Sequence, residues 1–340
     1  MHEMMTRDDR DAAQACSAEV TQGTASPVSL RGHVCPEALT TGEFETQAAG
    51  VLLQTPASGT AALDSAELVL SEASFETLEL ERPIGSGGIA EIWLARHSAL
   101  EAPFVVKVAR RELAENVHVH TQFEREWRAT RLLRHPGVVG HYSRGWSGDG
   151  RPYLTMELVL GRSLAHFVHR PVTWRFLRAA LLQLADILGF IHEHGVLHQD
   201  LKPSNLLIDL KRRRLRVTDF GLARFEAAEP GATTRSVLGT PAYMAPEQAR
   251  GLLGALGPAT ELYTVGVLLY EILTGHKPFD DESERVVMIK HCTCAPPPLR
   301  VREGVDAPAG VLRLLDRLLA KSHQARFQTA AEFKQAVLAL

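Results

Sequence analysis

The segment HQDLKPSN, residues 198–205, brings three side chains with complementary chemistry into one short stretch. The carboxylate of Asp200 could accept a proton from a hydroxyl, and Lys202 could neutralise charge on a phosphoryl group in transfer. Asn205 could offer a magnesium ion an uncharged oxygen, and Asp219, in the VTDFG segment that follows, an anionic one. An ordinary polar turn explains one such segment but not both in this order. The two segments therefore predict phosphoryl-transfer chemistry.

A glycine-rich stretch, IGSGGIAEIW, lies upstream between two predicted strands. Its glycines would let a hairpin pack its backbone against phosphate oxygens without a Cβ clash. A strand rather than a helix follows, which argues against a dinucleotide site, and Ala90 stands at the third glycine position of G-x-G-x-x-G. By itself the stretch is better explained as a plain glycine-rich hairpin.

Lys107 lies in FVVKVA, an otherwise apolar predicted strand. Burying a lysine is costly unless it meets an anion. The simpler alternative is a lysine that reaches water from the end of a strand. The candidate partner is Glu126, on a helix predicted over residues 116–133. If the two side chains pair, Lys107 is held facing nucleotide phosphates.

The elements that must position these residues fall into two groups. Period-two alternation and apolar runs predict strands in four segments, followed by a long helix over residues 173–195 and further helices from residue 246 onwards. The four strand segments are residues 75–85, 90–96, 102–109 and 151–159. A strand-rich part therefore precedes a mainly helical part, with a cleft expected between them.

Together these segments resemble the eukaryotic-type (Hanks-type) serine/threonine protein kinases, and the bacterial members most closely. The resemblance covers about residues 75–340. It implies an α+β, bilobal fold, with a small antiparallel-sheet N-lobe over about 74–158 and a larger helical C-lobe over about 160–340. It also implies ATP and Mg²⁺ as cofactors, and transfer of the γ-phosphoryl group to Ser/Thr hydroxyls of proteins, with autophosphorylation.

The same resemblance implies a role for each segment. Asp200 and Lys202 would be catalytic, and Asn205 and Asp219 would hold magnesium. Met156 would be the gatekeeper, and Glu157 to Val159 the hinge that binds adenine. The residues implied in cofactor binding are Ile84, Gly85, Ser86, Gly87, Gly88, Ile92, Lys107, Glu126, Glu157 and Val159. Glu247, in MAPE, is expected to pair with Arg326.

Two positions depart from the family pattern. Gln199 replaces the arginine that usually binds a phosphate on the activation loop, and a neutral amide lacks the charged, bidentate grip of a guanidinium. Activity is therefore expected to depend little on that phosphate, although Thr233, Thr234 and Ser236 remain candidates for phosphorylation. Glu261 replaces an aspartate that usually caps the catalytic loop, and a shifted contact is expected there.

Three readings of the activity are open at this point. The first is an active protein serine/threonine kinase, which Lys202 and the segment GTPAYMAPE favour. The second is a pseudokinase that binds nucleotide or partners without turnover, which the two departures keep open. The third is a kinase of small metabolites, although such enzymes generally lack the GTPAYMAPE segment.

The rest of the chain adds little chemistry. Its 340 residues are 45% hydrophobic and 23% charged, with a net charge of −3, which points to neither nucleic acid nor a membrane surface. Residues 1–73 predict a mostly disordered acidic tail with a short helix around DSAELVL. Residues 1–75 hold three basic and eleven acidic residues, a net of −8 that leaves +5 for the remainder. That balance suits an anionic ligand.

Three further features concern sites and location. The run KRRRLR, residues 211–216, predicts a solvated hairpin tip rather than a nucleic-acid patch. The pair Cys292 and Cys294 lacks a second cluster that would complete a zinc site. The first residues do not resemble a signal peptide, and no run of about 18 apolar residues predicts a transmembrane helix. A cytoplasmic protein is expected, with nucleotide and a protein substrate as partners and no nucleic acid or membrane.

Overall fold

The computed structural model describes residues 60–225 and 239–340, which fall into two compact units. The described part of the first unit comprises residues 60–166 and 180–225. That of the second unit comprises residues 167–179 and 239–340. Because the candidate phosphoryl-transfer segments all lie in the first unit, its architecture decides how they are positioned.

The first unit is built on a five-stranded antiparallel sheet with strand order β1-β2-β3-β5-β4. The strands are β1 (Glu79–Ser86), β2 (Ala90–Arg96), β3 (Phe104–Ala109), β4 (His141–Trp146) and β5 (Pro152–Glu157). The predicted strands are therefore confirmed, except that the first begins later, since Phe75–Thr77 forms a 3-10 turn. All six residues of β3 and all six of β5 are buried, and the sequence of β3 is apolar apart from Lys107.

Two helices accompany this sheet. Helix α1 (Thr60–Glu72) precedes it, and α2 (Val117–Leu132) follows β3. Helix α2 matches the predicted helix and starts at an N-cap, because the side chain of Asn116 accepts hydrogen bonds from two backbone N–H groups of the first turn. Phe123 of α2 is buried in the apolar core with Val105, Leu154 and Met156 of the sheet.

Helix α1 confirms the short helix expected around DSAELVL and packs on the other side of the sheet. Leu70 is 1% exposed and shares an apolar core with Leu78, Phe104 and Tyr153. On the polar side of α1, Glu67 pairs with Arg131 and Arg134, beside the end of α2. The folded part of the chain thus includes a helix that the sequence had placed in the tail. Residues 1–59 lie outside the described residues.

Short strands complete the first unit. They are β6 (Gly161–Ser163), β7 (Val196–Leu197), β8 (Leu206–Asp209), β9 (Arg214–Val217) and β10 (Arg224–Phe225). Strands β6, β8 and β9 form one antiparallel sheet, and β7 pairs with β10. The loop that carries Asp200 therefore runs between β7 and β8, and Asp219 follows β9 directly.

The second unit is helical. Its helices are α4 (Pro246–Ala249), α5 (Pro258–Thr274), α6 (Glu284–Thr293), α7 (Val311–Leu318) and α8 (Ala330–Leu338), and α3 (Trp174–Glu193) begins in it. Helix α5 is buried on all sides from Ala259 to Leu273. A Cβ at Gly266 would lie 2.7 Å from that of Leu318, so glycine lets α5 and α7 approach closely. An antiparallel sheet followed by a helical part confirms the expected α+β class. None of the helices described in these ranges has the length and apolar character needed to span a bilayer.

Candidate active site

A network of charges, in which Lys107 and Glu126 are buried and Asp219 is partly exposed, lies in the first unit. The ammonium of Lys107 lies 2.6 Å from Glu126 Oε2 and 2.7 Å from Asp219 Oδ1. The side chains of Lys107 and Glu126 are 7% and 1% exposed. The structure thus confirms the predicted pair and adds Asp219 to it. The alternative of a lysine reaching water from the strand end is excluded by this burial.

The electrostatics of the network keep Lys107 and Asp219 ionised. Burial alone would lower the pKa of Lys107, but the attraction of Asp219 and Glu126 outweighs it and raises that pKa. For Asp219, burial would raise the pKa, yet Lys107 outweighs burial and holds the pKa at about 2. At neutral pH the network therefore presents an ammonium and an ionised Asp219 carboxylate.

Local structure explains how the three side chains meet. Lys107 lies in the middle of β3, opposite Ile92 of β2 and Leu154 of β5, so its backbone is fixed from both sides. Its ammonium also lies 5.7 Å from the ring centroid of Phe123, one turn before Glu126 on α2. Asp219 has a positive φ of 67°, a conformation that turns the chain immediately after β9.

The glycine-rich stretch forms the hairpin between β1 and β2. Gly85 lies opposite Ile92 and Ser86 opposite Glu91, and the N–H of Gly87 donates to Ala90 O at 2.8 Å. A Cβ on Gly88 would meet no atom within 4 Å, so open space lies beside the tip. The hairpin tip is also held from the end of β3, since Arg110 Nε donates to Gly87 O at 2.8 Å.

The loop after β7 gathers the remaining predicted residues. Lys202 Nζ lies 2.6 Å from Asp200 Oδ2, and Asn205 Nδ2 donates to Asp200 O at 2.9 Å. Asp200 and Asn205 are buried, whereas Lys202 is partly exposed. The structure therefore places Asp200, Lys202 and Asn205 in one hydrogen-bonded group. Thr218, next to Asp219, donates its N–H to Asn205 O at 3.0 Å, which ties this group to the charge network.

His198 is a residue of this site that residue-by-residue reading did not single out. Its Nε2 lies 3.0 Å from Thr218 O, and its Nδ1 lies 3.3 Å from the N–H of Asp200. The ring thus donates from Nε2 and accepts at Nδ1, and it joins the loop around Asp200 to the segment around Asp219. The available signal in the sequence was a histidine two residues before Asp200. Its two ring nitrogens can each form a hydrogen bond with the backbone.

A comparison with protein-family models identifies this arrangement. Residues 78–338 match the family described as the protein kinase domain. The chain belongs to the protein kinase family. The matched span contains the hairpin, the Lys107–Glu126 pair, the loop around Asp200 and the Asp219 segment in the order expected from the sequence.

Several curated protein kinases are similar to this chain. The serine/threonine-protein kinase PknB of Mycobacterium tuberculosis (strain ATCC 25618 / H37Rv) is 35% identical over 264 residues, which are 75% of this chain and 41% of that protein. PknB of Mycobacterium leprae (strain TN) is 37% identical over 265 residues, 75% and 42% respectively. PknA of Mycobacterium tuberculosis (strain ATCC 25177 / H37Ra) is 35% identical over 267 residues, 77% and 60% respectively. This kinase-family chain spans less than two thirds of each of these relatives.

The hinge expected in a kinase lies at the end of β5. Met156 is buried, Glu157 is the last residue of the strand, and Val159 packs partly buried against the core. The N–H of Glu157 donates to Gly140 O at 2.9 Å, and its carboxylate accepts from the N–H of Gly140 at 2.9 Å. Glu157 is therefore bonded to Gly140 through both its backbone and its side chain, and adenine binding by Glu157 to Val159 stays a prediction.

The side chain of Glu157 belongs to a buried ionic cluster that the sequence did not predict. It pairs with Arg216, which also lies 3.8 Å from Asp209, and with Arg212 at 3.5 Å. Burial lowers the pKa of Arg216 to about 10. The prediction that residues 211–216 form a solvated hairpin tip is wrong for Arg216, because these residues extend into β9 and its side chain points inward. Lys211 and Arg212 are exposed as expected.

The second unit contains the other ion pair expected of a kinase. Arg326 Nη1 lies 2.7 Å from Glu247 Oε1, and Nη2 lies 3.0 Å from Oε2, so the predicted pair is confirmed as a bidentate one. Glu261 is buried in α5, and its contact with the catalytic loop stays a prediction. The candidate phosphorylation sites at positions 233, 234 and 236 lie outside the described residues.

Gln199 occupies an unusual backbone conformation in the loop after β7. Its φ is 69°, in the left-handed region that residues with side chains seldom adopt. The half-buried side chain stands beside Asp200 in sequence. Gln199, which departs from the family pattern, thus lies in this loop. The contacts of Asp200 and Lys202 are nevertheless formed. Its effect on phosphate dependence stays a prediction.

Proposed function

We propose that this chain is an ATP- and magnesium-dependent protein kinase that phosphorylates serine and threonine hydroxyls of proteins, including its own. The observation that carries the proposal is the unbroken line of contacts from Glu126 through Lys107 to Asp219. Burying these charges, or breaking their pairing, costs free energy. A network of this kind is therefore readily explained if it positions a ligand. The relatives that this chain resembles are named serine/threonine-protein kinases, which supports the acceptor class.

The donor set fits nucleotide and magnesium. An ammonium has three N–H donors, and two of those of Lys107 go to Glu126 and Asp219, which leaves one for a phosphate oxygen. Asp219 is an ionised carboxylate, and Asn205 gives its amide N–H to Asp200 O. The amide oxygen of Asn205 accepts from Ser204 Oγ at 3.4 Å and has a second lone pair for a cation. Oxygen ligands of this kind suit magnesium, which would be held by Asp219 and Asn205. When bound, the ion would neutralise charge on the phosphates.

In the proposed reaction the acceptor hydroxyl oxygen forms a bond to the γ-phosphorus of ATP. The bond from that phosphorus to the bridging oxygen breaks, and ADP leaves. Asp200 orients the hydroxyl and takes its proton, a role that contributes about 10²–10⁴-fold in rate. Lys202, 2.6 Å from Asp200, counters the charge of the phosphoryl group in transfer. The proposal includes a cytoplasmic site of action, because the reaction consumes ATP.

The test is magnesium-dependent transfer from γ-labelled ATP to the chain itself and to a generic basic protein, followed by phosphoamino-acid analysis. Asp200→Asn is expected to lower transfer by about 10²-fold or more while nucleotide binding persists. The matched control is Asp306→Asn, at an exposed position of the second unit, which should leave transfer unchanged.

Other outcomes would replace the proposal. Nucleotide binding without transfer in the wild type would favour the pseudokinase. Transfer that requires a small metabolite and ignores protein acceptors would favour the third reading.

A further inference from the structure

Helix α1 precedes the family domain yet belongs to the folded first unit. The match to the protein kinase domain begins at residue 78, whereas α1 ends at Glu72. Leu70, in its last turn, is buried in the apolar core on one face of the sheet. In the turn between α1 and β1, Glu76 Oε1 accepts a hydrogen bond from the N–H of Gly148 at 3.1 Å. The chain is therefore fixed to the sheet from the last turn of α1 onward.

Helices α1 and α2 lie on opposite faces of this sheet. Successive residues of β3 alternate between the two faces, so that Val105 joins the core beneath α2 and Val106 joins the core beneath α1. Both helices contact β4, which is the edge strand of the sheet. The two helices therefore cover the same edge strand from its two faces.

One carboxylate joins the two helices around this edge, in a contact that we call the α1–α2 clamp. Glu67 of α1 pairs with Arg131 in the last turn of α2, and its Oε2 lies 3.2 Å from Arg134 Nη2, just beyond that helix. The Glu67 side chain is 25% exposed, and those of the two arginines are 42% and 62% exposed. Because pairs this exposed are weak, each contributes at most about fivefold to an equilibrium constant.

The helix that the clamp holds also carries Glu126. Arg131 follows Glu126 by five residues, about 7.5 Å along the helix axis, and its guanidinium lies 5.5 Å from the ring centroid of Trp127. Glu126 is 1% exposed, and its Oε2 lies 2.6 Å from Lys107 Nζ. Since an α-helix is rigid over so short a distance, a movement of its Arg131 end also moves Glu126 relative to β3.

We propose that Glu67 is a positioning residue, which fastens the end of α2 to α1 and thereby keeps Glu126 in place beside Lys107. The arrangement that receives the nucleotide phosphates then depends on a helix that precedes the family domain. The effect of the clamp on α2 is independent of the proposed kinase function. Its effect on nucleotide affinity rests on that function.

The hold on α2 is tested by amide hydrogen exchange in the nucleotide-free, full-length chain. Glu67→Lys sets a cation against two arginines, so exchange over residues 126–133 should become about tenfold faster. The double variant Glu67→Lys with Arg131→Glu restores an attraction and should recover part of the protection. Added salt screens exposed pairs, so it should speed exchange in the wild type and have less effect in Glu67→Gln.

A matched control on the same helix separates the clamp from a general change of charge. Glu72 is exposed at the end of α1, and Glu72→Lys makes the same change in charge as Glu67→Lys. Its exchange over residues 126–133 should equal that of the wild type, and thermal melts should show that both variants are folded. Unchanged exchange in Glu67→Lys, or an equal effect of Glu72→Lys, would overturn the proposal whether or not the chain is a kinase.

The positioning of Lys107 is tested by calorimetric binding, which needs no turnover. The Kd of Glu67→Lys for magnesium–ATP should rise by about the same factor as exchange, whereas its affinity for adenosine, which has no phosphates, should stay that of the wild type. Equal losses for both ligands, or an unchanged Kd for ATP beside faster exchange, would refute the positioning role. A wild type that binds no ATP would refute the proposed function and this nucleotide step with it, and the exchange result would still decide the clamp.

Discussion

Replacing Arg326 with methionine removes a buried cation from the second unit and tests how that unit is held together. The guanidinium makes the bidentate contact with Glu247 and also donates from Nε to Ala320 O at 2.7 Å. Further N–H groups reach Ala259 O at 3.1 Å and Lys321 O at 3.0 Å. All five donors of this side chain therefore have an acceptor.

The expected loss of unfolding free energy follows from the charge that the substitution leaves without a partner. Glu247 is 4% exposed, so without Arg326 its carboxylate is a buried charge with no cation. Breaking a buried pair in this way costs about 3–5 kcal/mol of unfolding free energy. Methionine is flexible and similar in volume, so the contribution of a cavity should be small. The double variant that also carries Glu247→Gln should recover part of the lost unfolding free energy, since it has no unpaired carboxylate charge.

The cost should also depend on pH. Burial would raise the pKa of Glu247, but the hydrogen bond and charge of Arg326 outweigh burial and hold that pKa below its usual value. A depressed folded-state pKa gives stability that is present above the unfolded value and is lost as pH falls through the folded one. The difference between wild type and Arg326→Met should therefore shrink in acid.

Urea unfolding followed by circular dichroism measures this difference at neutral and acid pH. Arg96→Ala serves as the control, because Arg96 forms an exposed pair with Glu81 at 2.5 Å, and such pairs contribute up to about 1 kcal/mol. A loss below about 1 kcal/mol for Arg326→Met, or a loss that stays constant in acid, would refute this reasoning.

Three further outcomes are expected. In denaturant titrations, Leu70→Ala should lower the unfolding free energy by about 2–5 kcal/mol because it empties a buried position. Leu68 lies on the same helix but is 66% exposed, so Leu68→Ala should change that free energy by less than about 0.5 kcal/mol. Burial lowers the pKa of His291 to about 4, so about 3 kcal/mol of stability should be lost as pH falls from about 6.5 through 4, and thermal melts of His291→Gln should lack this loss. Because Gln199 replaces an arginine, phosphatase-treated and untreated protein should phosphorylate a substrate at similar rates, and a collapse on dephosphorylation would contradict the prediction.

The protein kinase family and the residues of the proposed reaction could both be predicted from the sequence. Each decisive residue lies in a short segment whose order along the chain is readable, as for Asp200, Lys202 and Asn205 within eight residues. The approximate bounds of four strands and of α2 followed from local periodicity, whereas β4 was not predicted. The Lys107–Glu126 pair was predictable because both residues stand in recognisable segments.

Which further side chains meet those segments became visible only in the folded protein. His141 lies fifteen positions beyond Glu126 in the sequence, yet its buried Nε2 lies 3.3 Å from Glu126 Oε1. Arg216 looked like part of a solvated basic turn until β9 directed it toward Glu157. Burial and pairing of this kind depend on contacts between residues distant in sequence, and local pattern carries no record of them.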